Sequence, residues 1–382
     1  MDFALSDEHK ALRDGIVKFA QHELGDVDLQ QERDSVFSHE AWLKCGEMGL
    51  QGLPVPEEHG GAGLDPLSCA IALEALGYGC RDGGLVFSIC AHLLACVVPI
   101  WKHSNEAQKQ RFLPGLCSGR LIAANAMTEP GTGSDAFSMA TRAVPQAEGF
   151  CISGTKTFCS NGPIADVALV YALTDAAKGY AGGVTAFIVE KGLPGFRPGQ
   201  RFEKMGLRTS PIGELVLDDV QVSRDVVLGG VGGGGPIFAE SMDWERALLV
   251  ACHVGTMQRL LEQAVEHART RKQYGQTIGK FQAVAHKIVD MSVRLEAARL
   301  LTYRAASRLG VSRDAGMHAS TAKLFTSESL VRSALDTIQI LGGSGFMVET
   351  GAERALRDSV AGTLYSGTSE IQRNIIARWI GL

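Results

Sequence analysis

"FCISGTKTFCSNG", residues 150–162, is the stretch that decides the architecture. It is short, apolar or β-branched, and closes on Asn161-Gly162, which is strand followed by turn. "DVALVYALT" (166–174), "VTAFIVEK" (184–191) and "GELVLDDVQV" (213–222) repeat the texture, separated by Gly, Pro, Asn and Asp. Together they predict a β domain over residues 121–230.

To the N-terminal side the pattern is helical. Ser6 can cap a first helix whose Leu12, Ile16, Phe19 and Ala20 recur at helical spacing. "SHEAWLKCGEMGL" (38–50) repeats this, and "LPVPEEHGGAGLD" (53–65) is a loop by its Pro and Gly content. Helices near 66–80, 84–100 and 105–117 complete an α domain over 1–120.

To the C-terminal side, "GGVGGGGP" (229–236) lacks the pattern of a phosphate-binding loop and predicts a flexible hinge, with Pro236 at the first position of the next helix. Long helices follow over 237–271, 280–309 and 317–341. A tight turn at Gly367-Thr368-Ser369 then leads into a last helix from Glu370, with Ser369 as its N-cap. The fold class is α+β: an N-terminal helical domain, a central β-barrel-like domain, and a C-terminal four-helix bundle over 231–382. The sequence shows no internal repeat.

Composition narrows the function. The 382 residues suit two or three domains, and 45% hydrophobic with 21% charged residues supports a large core. A net charge of −5 argues against a nucleic-acid partner. Nine cysteines form no C-x-x-C pair and no Cys/His group with metal-ligand spacing, so the expectation is no metal and buried, reduced thiols of a cytoplasmic protein. The N-terminus is charged from Asp2, unlike a signal peptide. "LVFSICAHLLACVVPIW" (85–101) is the nearest thing to a membrane span, but His92 interrupts it and Pro99 closes it. A buried helix is expected there.

Four motifs stand in order: "AMTEPGTGSD" (126–135), "RKQYGQTIGKFQ" (271–282), "QILGGSGF" (339–346) and "YSGTSEIQR" (365–373). They resemble the acyl-CoA dehydrogenase family over essentially the whole chain. The resemblance implies FAD between the β domain and the C-terminal helices. Met127, Thr128, Gly133, Ser134, Phe158 and Ser160 match its contacts from the β domain. Arg271, Tyr274, Gln282, Gln339, Gly342 and Gly343 match contacts that a partner subunit makes with the pyrophosphate and adenosine, so a dimer or homotetramer is implied. Thr368 and Glu370 match two more. Phe158 stands where Trp is common and Glu370 where Gln is common; a Phe ring still stacks on a flavin. An anionic pyrophosphate wants Arg and backbone N–H groups, and Gly342-Gly343 lets the chain come close.

Ser366 stands where the family usually holds its catalytic glutamate, and a serine hydroxyl is a poor base without a His or Lys partner. A second carboxylate answers this. Glu245 shares a helical face with Leu248, Leu249, Cys252 and Thr256. Burial on an apolar stripe should raise its pKa toward neutrality, as a working base requires. The bland alternative, a first-turn Glu serving the helix dipole, fits poorly nine residues past Pro236. Isovaleryl- and long-chain-type family members carry their glutamate at this helix position, with a small residue before G-T-S. The resemblance also sets Ser134, Asp243, Arg246, Tyr365, Ser366 and Gly367 against the substrate.

"SMDWERALL", "QAVEHARTRKQYG" and "RDSVAGTLYSGTSEIQRNIIAR" are similar to a narrower group, the dehydrogenases of secondary-metabolite pathways that oxidise a prolyl or other acyl group on an acyl carrier protein. The implied reaction is α,β-dehydrogenation of a thioester on carrier protein or CoA. Glu245 takes the α-proton and flavin N5 the β-hydride, and electrons leave to an electron-transferring flavoprotein or oxygen. Two other readings stay open at this point: an oxygen-using flavin oxidase or hydroxylase on the same fold, and a non-catalytic flavin-binding scaffold.

Overall fold

The computed structural model describes residues 4–25 and 27–382. Helices come first: α1 (Asp7–Phe19), α2 (Leu29–Arg33), α3 (His39–Glu47), α4 (Pro66–Gly79), α5 (Gly83–His92), α6 (Val98–His103) and α7 (Glu106–Cys117). Short polar side chains start them. Ser6 accepts from the His9 N–H, Ser38 from Ala41, and Asp65 from Leu67 and Ser68. Asn105 and Gln108 form a reciprocal capping box at α7.

The apolar stretch at 85–101 is the buried helix expected, but it is longer than its sequence suggests. Neither His92 nor Pro99 stops it. A π-helical turn, Leu93–Val97, joins α5 to α6 into one run, Gly83–His103, long and apolar enough to cross a membrane. Of its apolar 18-residue window 83% is buried within the protein, so it is a core helix. His92 fits inside because both ring nitrogens are used, one with the Leu116 carbonyl at 3.0 Å and one accepting from the Ala123 N–H at 3.0 Å.

Eight strands form the next unit: β1 (Ala123–Ala126), β2 (Arg142–Pro145), β3 (Gly149–Ser160), β4 (Val167–Leu173), β5 (Val184–Glu190), β6 (Phe196–Arg201), β7 (Ile212–Ser223) and β8 (Val227–Leu228). They lie in one sheet in the order β6-β7-β3-β2-β4-β5-β8, with β1 beside β4. The sheet curls around a core of its own that includes Phe150, Ile152, Val170, Phe187, Leu215 and Val220. The alternate residues of β4 and β5, among them Leu169, Tyr171 and Ile188, face the helices and join the main core. Both strands are therefore buried on both faces, which explains their unbroken apolar sequence.

The chain then returns to helix: α8 (Gly234–Thr270), a short hairpin of β9 (Lys272–Gln273) and β10 (Gln276–Thr277), α9 (Gln282–Ala306), α10 (Ala315–Leu341), α11 (Ala352–Ala361) and α12 (Ser369–Trp379). The glycine run before α8 is not a loose hinge. Gly234 and Gly235 are buried and already helical, and a Cβ on Gly235 would stand 2.3 Å from the Tyr180 carbonyl. The residues are small because α8 starts in backbone contact with the β unit, and Pro236 falls at the third helical position. A similar contact fixes α8 against α4. A Cβ on Gly77 would meet the Cys252 carbonyl at 2.2 Å, and one on Gly255 would meet the Glu74 carbonyl at 2.1 Å. The last helix is capped by Thr368, whose hydroxyl accepts from the Ile371 N–H at 3.4 Å, one residue before the predicted Ser369.

Candidate active site

Glu245 lies three turns into α8 and is 8% exposed. Leu248, Leu249 and Cys252 on its face are buried as well. Burial raises its carboxyl pKa above the ordinary carboxylate range. The Ser366 hydroxyl, which donates to Glu245 Oε1, pulls the other way, as do the charges of Arg246 and Lys323. The helix and the C-terminal turn thus meet at one carboxylate.

The turn is held in an unusual conformation. Ser366 has φ +56° and Gly367 φ +86°. Arg246 donates from Nε to the Ser366 carbonyl at 2.9 Å, and its Nη1 lies 3.6 Å from Asp243 Oδ1. Lys323 on α10, 1% exposed, donates to the Gly367 carbonyl at 2.8 Å. The Gln372 amide reaches both carbonyls, at 3.1 Å and 2.7 Å. Among the described residues the Ser366 N–H has no hydrogen-bond acceptor. Asp243 is half-buried, and burial raises its pKa too.

Tyr365 stands next to Ser366 and has partners of its own. Its hydroxyl shares a hydrogen bond with His253 Nε2 at 2.7 Å, and its ring stacks on Phe87 at 4.9 Å. Burial first, then the Lys323 charge, pushes His253 down to about 3, so the imidazole is neutral. A cavity of about 610 Å³ lies against Tyr365, Phe87, Cys252 and His253, and neither Glu245 nor Ser366 lines it.

The β-unit residues gather around the loop between β1 and β2. Met127 is buried, Thr128 accepts a backbone hydrogen bond from Thr157 at 2.8 Å, and Gly133 and Ser134 are exposed. An ion pair braces the loop from inside. Lys156, fully buried, donates to Glu129 Oε1 at 2.8 Å and to the Met127 carbonyl at 3.0 Å, and Glu129 also accepts from the Ala140 and Thr141 N–H groups. Burial alone would raise Glu129, but Lys156 and these donors hold it below the ordinary carboxylate range. Phe158 presents its ring 62% exposed at φ +52°, and Ser160 ends the same strand. Open space borders Gly131 and Gly133, and the buried Thr132 hydroxyl has no partner. An exposed ring beside open backbone suits a planar, polar-edged group such as a flavin.

Arg271, Tyr274, Gln282, Gln339, Gly342 and Gly343 are exposed, with Tyr274 94% so, and open space borders both glycines. They cluster around the C-terminal ends of α8 and α10, away from Glu245. Thr368 is half-buried and Glu370 exposed at the start of α12. Four residues escaped the sequence: Lys323, Gln372, His253 and Lys156. A lone lysine inside "ASTAKLFTSESL" was the available signal for Lys323.

Comparison with known proteins places these features. Residues 6–120, 124–220 and 232–381 match the N-terminal, middle and C-terminal domains of acyl-CoA dehydrogenase. The chain is 43% identical to the "L-prolyl-[peptidyl-carrier protein] dehydrogenase" of Pseudomonas fluorescens over 100% of both proteins. It superposes on the crystal structure of the prolyl acyl carrier protein oxidase AnaB with TM-score 0.96 and 43% identity, covering 99% of this chain and 100% of that one. The FAD complex of PigA gives 0.97 and 42%, covering 100% of both. Matched from end to end in sequence and in shape, this chain belongs to the acyl-CoA dehydrogenase family.

Proposed function

We propose that this protein is an FAD-dependent dehydrogenase of an acyl thioester, and that a prolyl group on a carrier protein is its substrate. The observation that carries the reading is Glu245: a buried carboxylate of raised pKa, facing a strained turn, in a chain of this family.

Glu245 removes the proton α to the thioester carbonyl. Its raised pKa keeps it basic enough to do so near neutral pH. Bound FAD supplies the acceptor for the β-hydride. The Ser366 N–H, with no acceptor among the described residues, is available to the carbonyl oxygen, where negative charge develops as the proton leaves. Arg246 and Asp243 orient the substrate beside the turn, with Ser134, Tyr365 and Gly367 bordering it. Met127, Thr128, Gly133, Ser134, Phe158 and Ser160 hold the flavin end, with Thr368 and Glu370 from the turn.

Arg271, Tyr274, Gln282, Gln339, Gly342 and Gly343 hold the nucleotide end for a neighbouring subunit. Helix length supports this. The 37 residues of α8 span roughly 55 Å at the usual rise, and the β unit packs on the end opposite Arg271. One dinucleotide does not bridge that span within one chain, so the assembly is a homotetramer or a dimer. We take 1–120, 121–230 and 231–382 as the domains. Nine free cysteines fit a reducing compartment such as the cytoplasm.

The test is anaerobic mixing of the yellow protein with a panel of carrier-protein and CoA thioesters, following flavin bleaching. Prolyl-carrier protein should bleach it fastest. Equal kcat/KM for the prolyl-carrier and prolyl-CoA forms overturns the carrier assignment, and no bleaching by any thioester overturns the reaction. Reoxidation by an electron-transferring flavoprotein or by oxygen then identifies the acceptor.

A further inference from the structure

We propose that Lys323 and Gln372 are positioning residues for the base: they grip the Ser366-Gly367 turn from behind and so aim the serine hydroxyl at Glu245. The proposal rests on the reading of Glu245 as base.

A non-glycine residue at φ +56° persists only where its surroundings over-determine it. Here the two carbonyls of the turn receive four side-chain hydrogen bonds. Ser366 O takes Arg246 Nε at 2.9 Å and Gln372 Nε2 at 3.1 Å. Gly367 O takes Gln372 Nε2 at 2.7 Å and Lys323 Nζ at 2.8 Å. In a planar trans peptide each carbonyl opposes the next N–H. Pinning the Ser366 and Gly367 carbonyls therefore turns the Gly367 and Thr368 N–H groups the opposite way. The serine side chain is left on Glu245.

Lys323 adds charge to this grip. A buried ammonium is expensive to keep, and this one stands in a helix where an apolar residue would pack. Burial, then Arg246, pushes it down to about 8, and Arg246, Glu245, Glu328 and Glu370 all act on it. His253, neutral, faces it from α8. Below that pH its positive charge favours the ionised form of Glu245. The turn is thus clamped by one residue that acts through geometry and one that acts through geometry and charge.

The experiment uses the holoenzyme carrying Lys323→Met, Lys323→Arg or Gln372→Met. The first readout is the infrared carboxyl band of Glu245, identified by its loss in Glu245→Gln and titrated without substrate. Lys323→Met should move its midpoint to higher pH and Lys323→Arg should restore it, while Gln372→Met should move it the same way by less, through the loosened Ser366 bond alone. The second readout is flavin reduction by thioester. Lys323→Met, which loses one hydrogen bond to the turn, and Gln372→Met, which loses two, should each slow it roughly tenfold or more with KM and FAD content unchanged. A wild-type midpoint in Lys323→Met, or unchanged reduction rates in Gln372→Met and Lys323→Met, overturns the proposal. If Lys323→Met does not fold, Gln372→Met decides by its rate. If wild-type protein reduces with no thioester, the reading of function fails, while the infrared midpoints still decide whether Lys323 tunes Glu245.

Discussion

The Ser366 hydroxyl donates a hydrogen bond to the Glu245 carboxylate across 121 residues of sequence. The serine that stands at the family's usual base position is thus bonded to the glutamate proposed to act in its place. Removing the carboxylate tests the base directly. Glu245→Gln keeps the shape and should leave FAD bound while flavin reduction slows by roughly 10²–10⁴-fold. Stopped-flow absorbance checks this, and near-normal reduction rules Glu245 out.

Ser366→Ala removes a donor that favours ionised Glu245, so the carboxyl pKa should rise further. The base works only when deprotonated, so the acid limb of the rate profile should move to higher pH. The rate on the alkaline plateau should change little. A profile that keeps its midpoint refutes the link between the two residues.

Because the two side chains touch, exchanging them keeps the carboxylate in place. Glu245→Gly with Ser366→Glu should recover part of the activity lost in Glu245→Gly alone. Recovery should be incomplete, since a larger side chain at φ +56° adds about 1 kcal/mol or more of strain. Reduction rates of the single and double variants decide it.

Arg271→Ala should weaken FAD retention by roughly 1.5–3 kcal/mol, the worth of a hydrogen bond to a charged group. Equilibrium dialysis measures the loss. Unchanged affinity in an intact oligomer removes Arg271 from the cofactor site.

His253 is neutral in the fold, with its pKa pushed from 6.5 down to about 3. The unfolded chain binds that proton first as pH falls, so this residue contributes stability above pH 6.5 that is lost between 6.5 and 3. His253→Gln should flatten the fall of stability in that window by up to about 1.4 kcal/mol per pH unit. Denaturant melts at several pH values check the slope, and His92 accounts for part of what remains.

Much of this was legible beforehand because it depends on local chemistry. Apolar runs between turn residues marked the strands, and the stripe beside Glu245 marked a buried carboxylate. Contacts between distant segments were not legible. The glycine run at 229–236 has the composition of a flexible linker, and only the position of Tyr180 shows that it is small for packing. Lys323 looks like any helix lysine until α12 brings Gly367 to it. The N-cap slipped from Ser369 to Thr368 because both hydroxyls can cap and the turn decides between them.

The crossing of α4 and α8 has a practical consequence. Two absent side chains, at Gly77 and Gly255, set how closely these helices approach, and both contacts are backbone against side-chain position, with nothing soft to yield. Glu245 rides the same rod as Cys252, roughly 10 Å upstream. Gly77→Ala touches no reacting atom, yet it would lift α8 and carry the carboxylate off the serine. Directed evolution aimed at new acyl groups therefore has a tuning point at a helix crossing, where one methyl group changes alignment and leaves every chemical group in place.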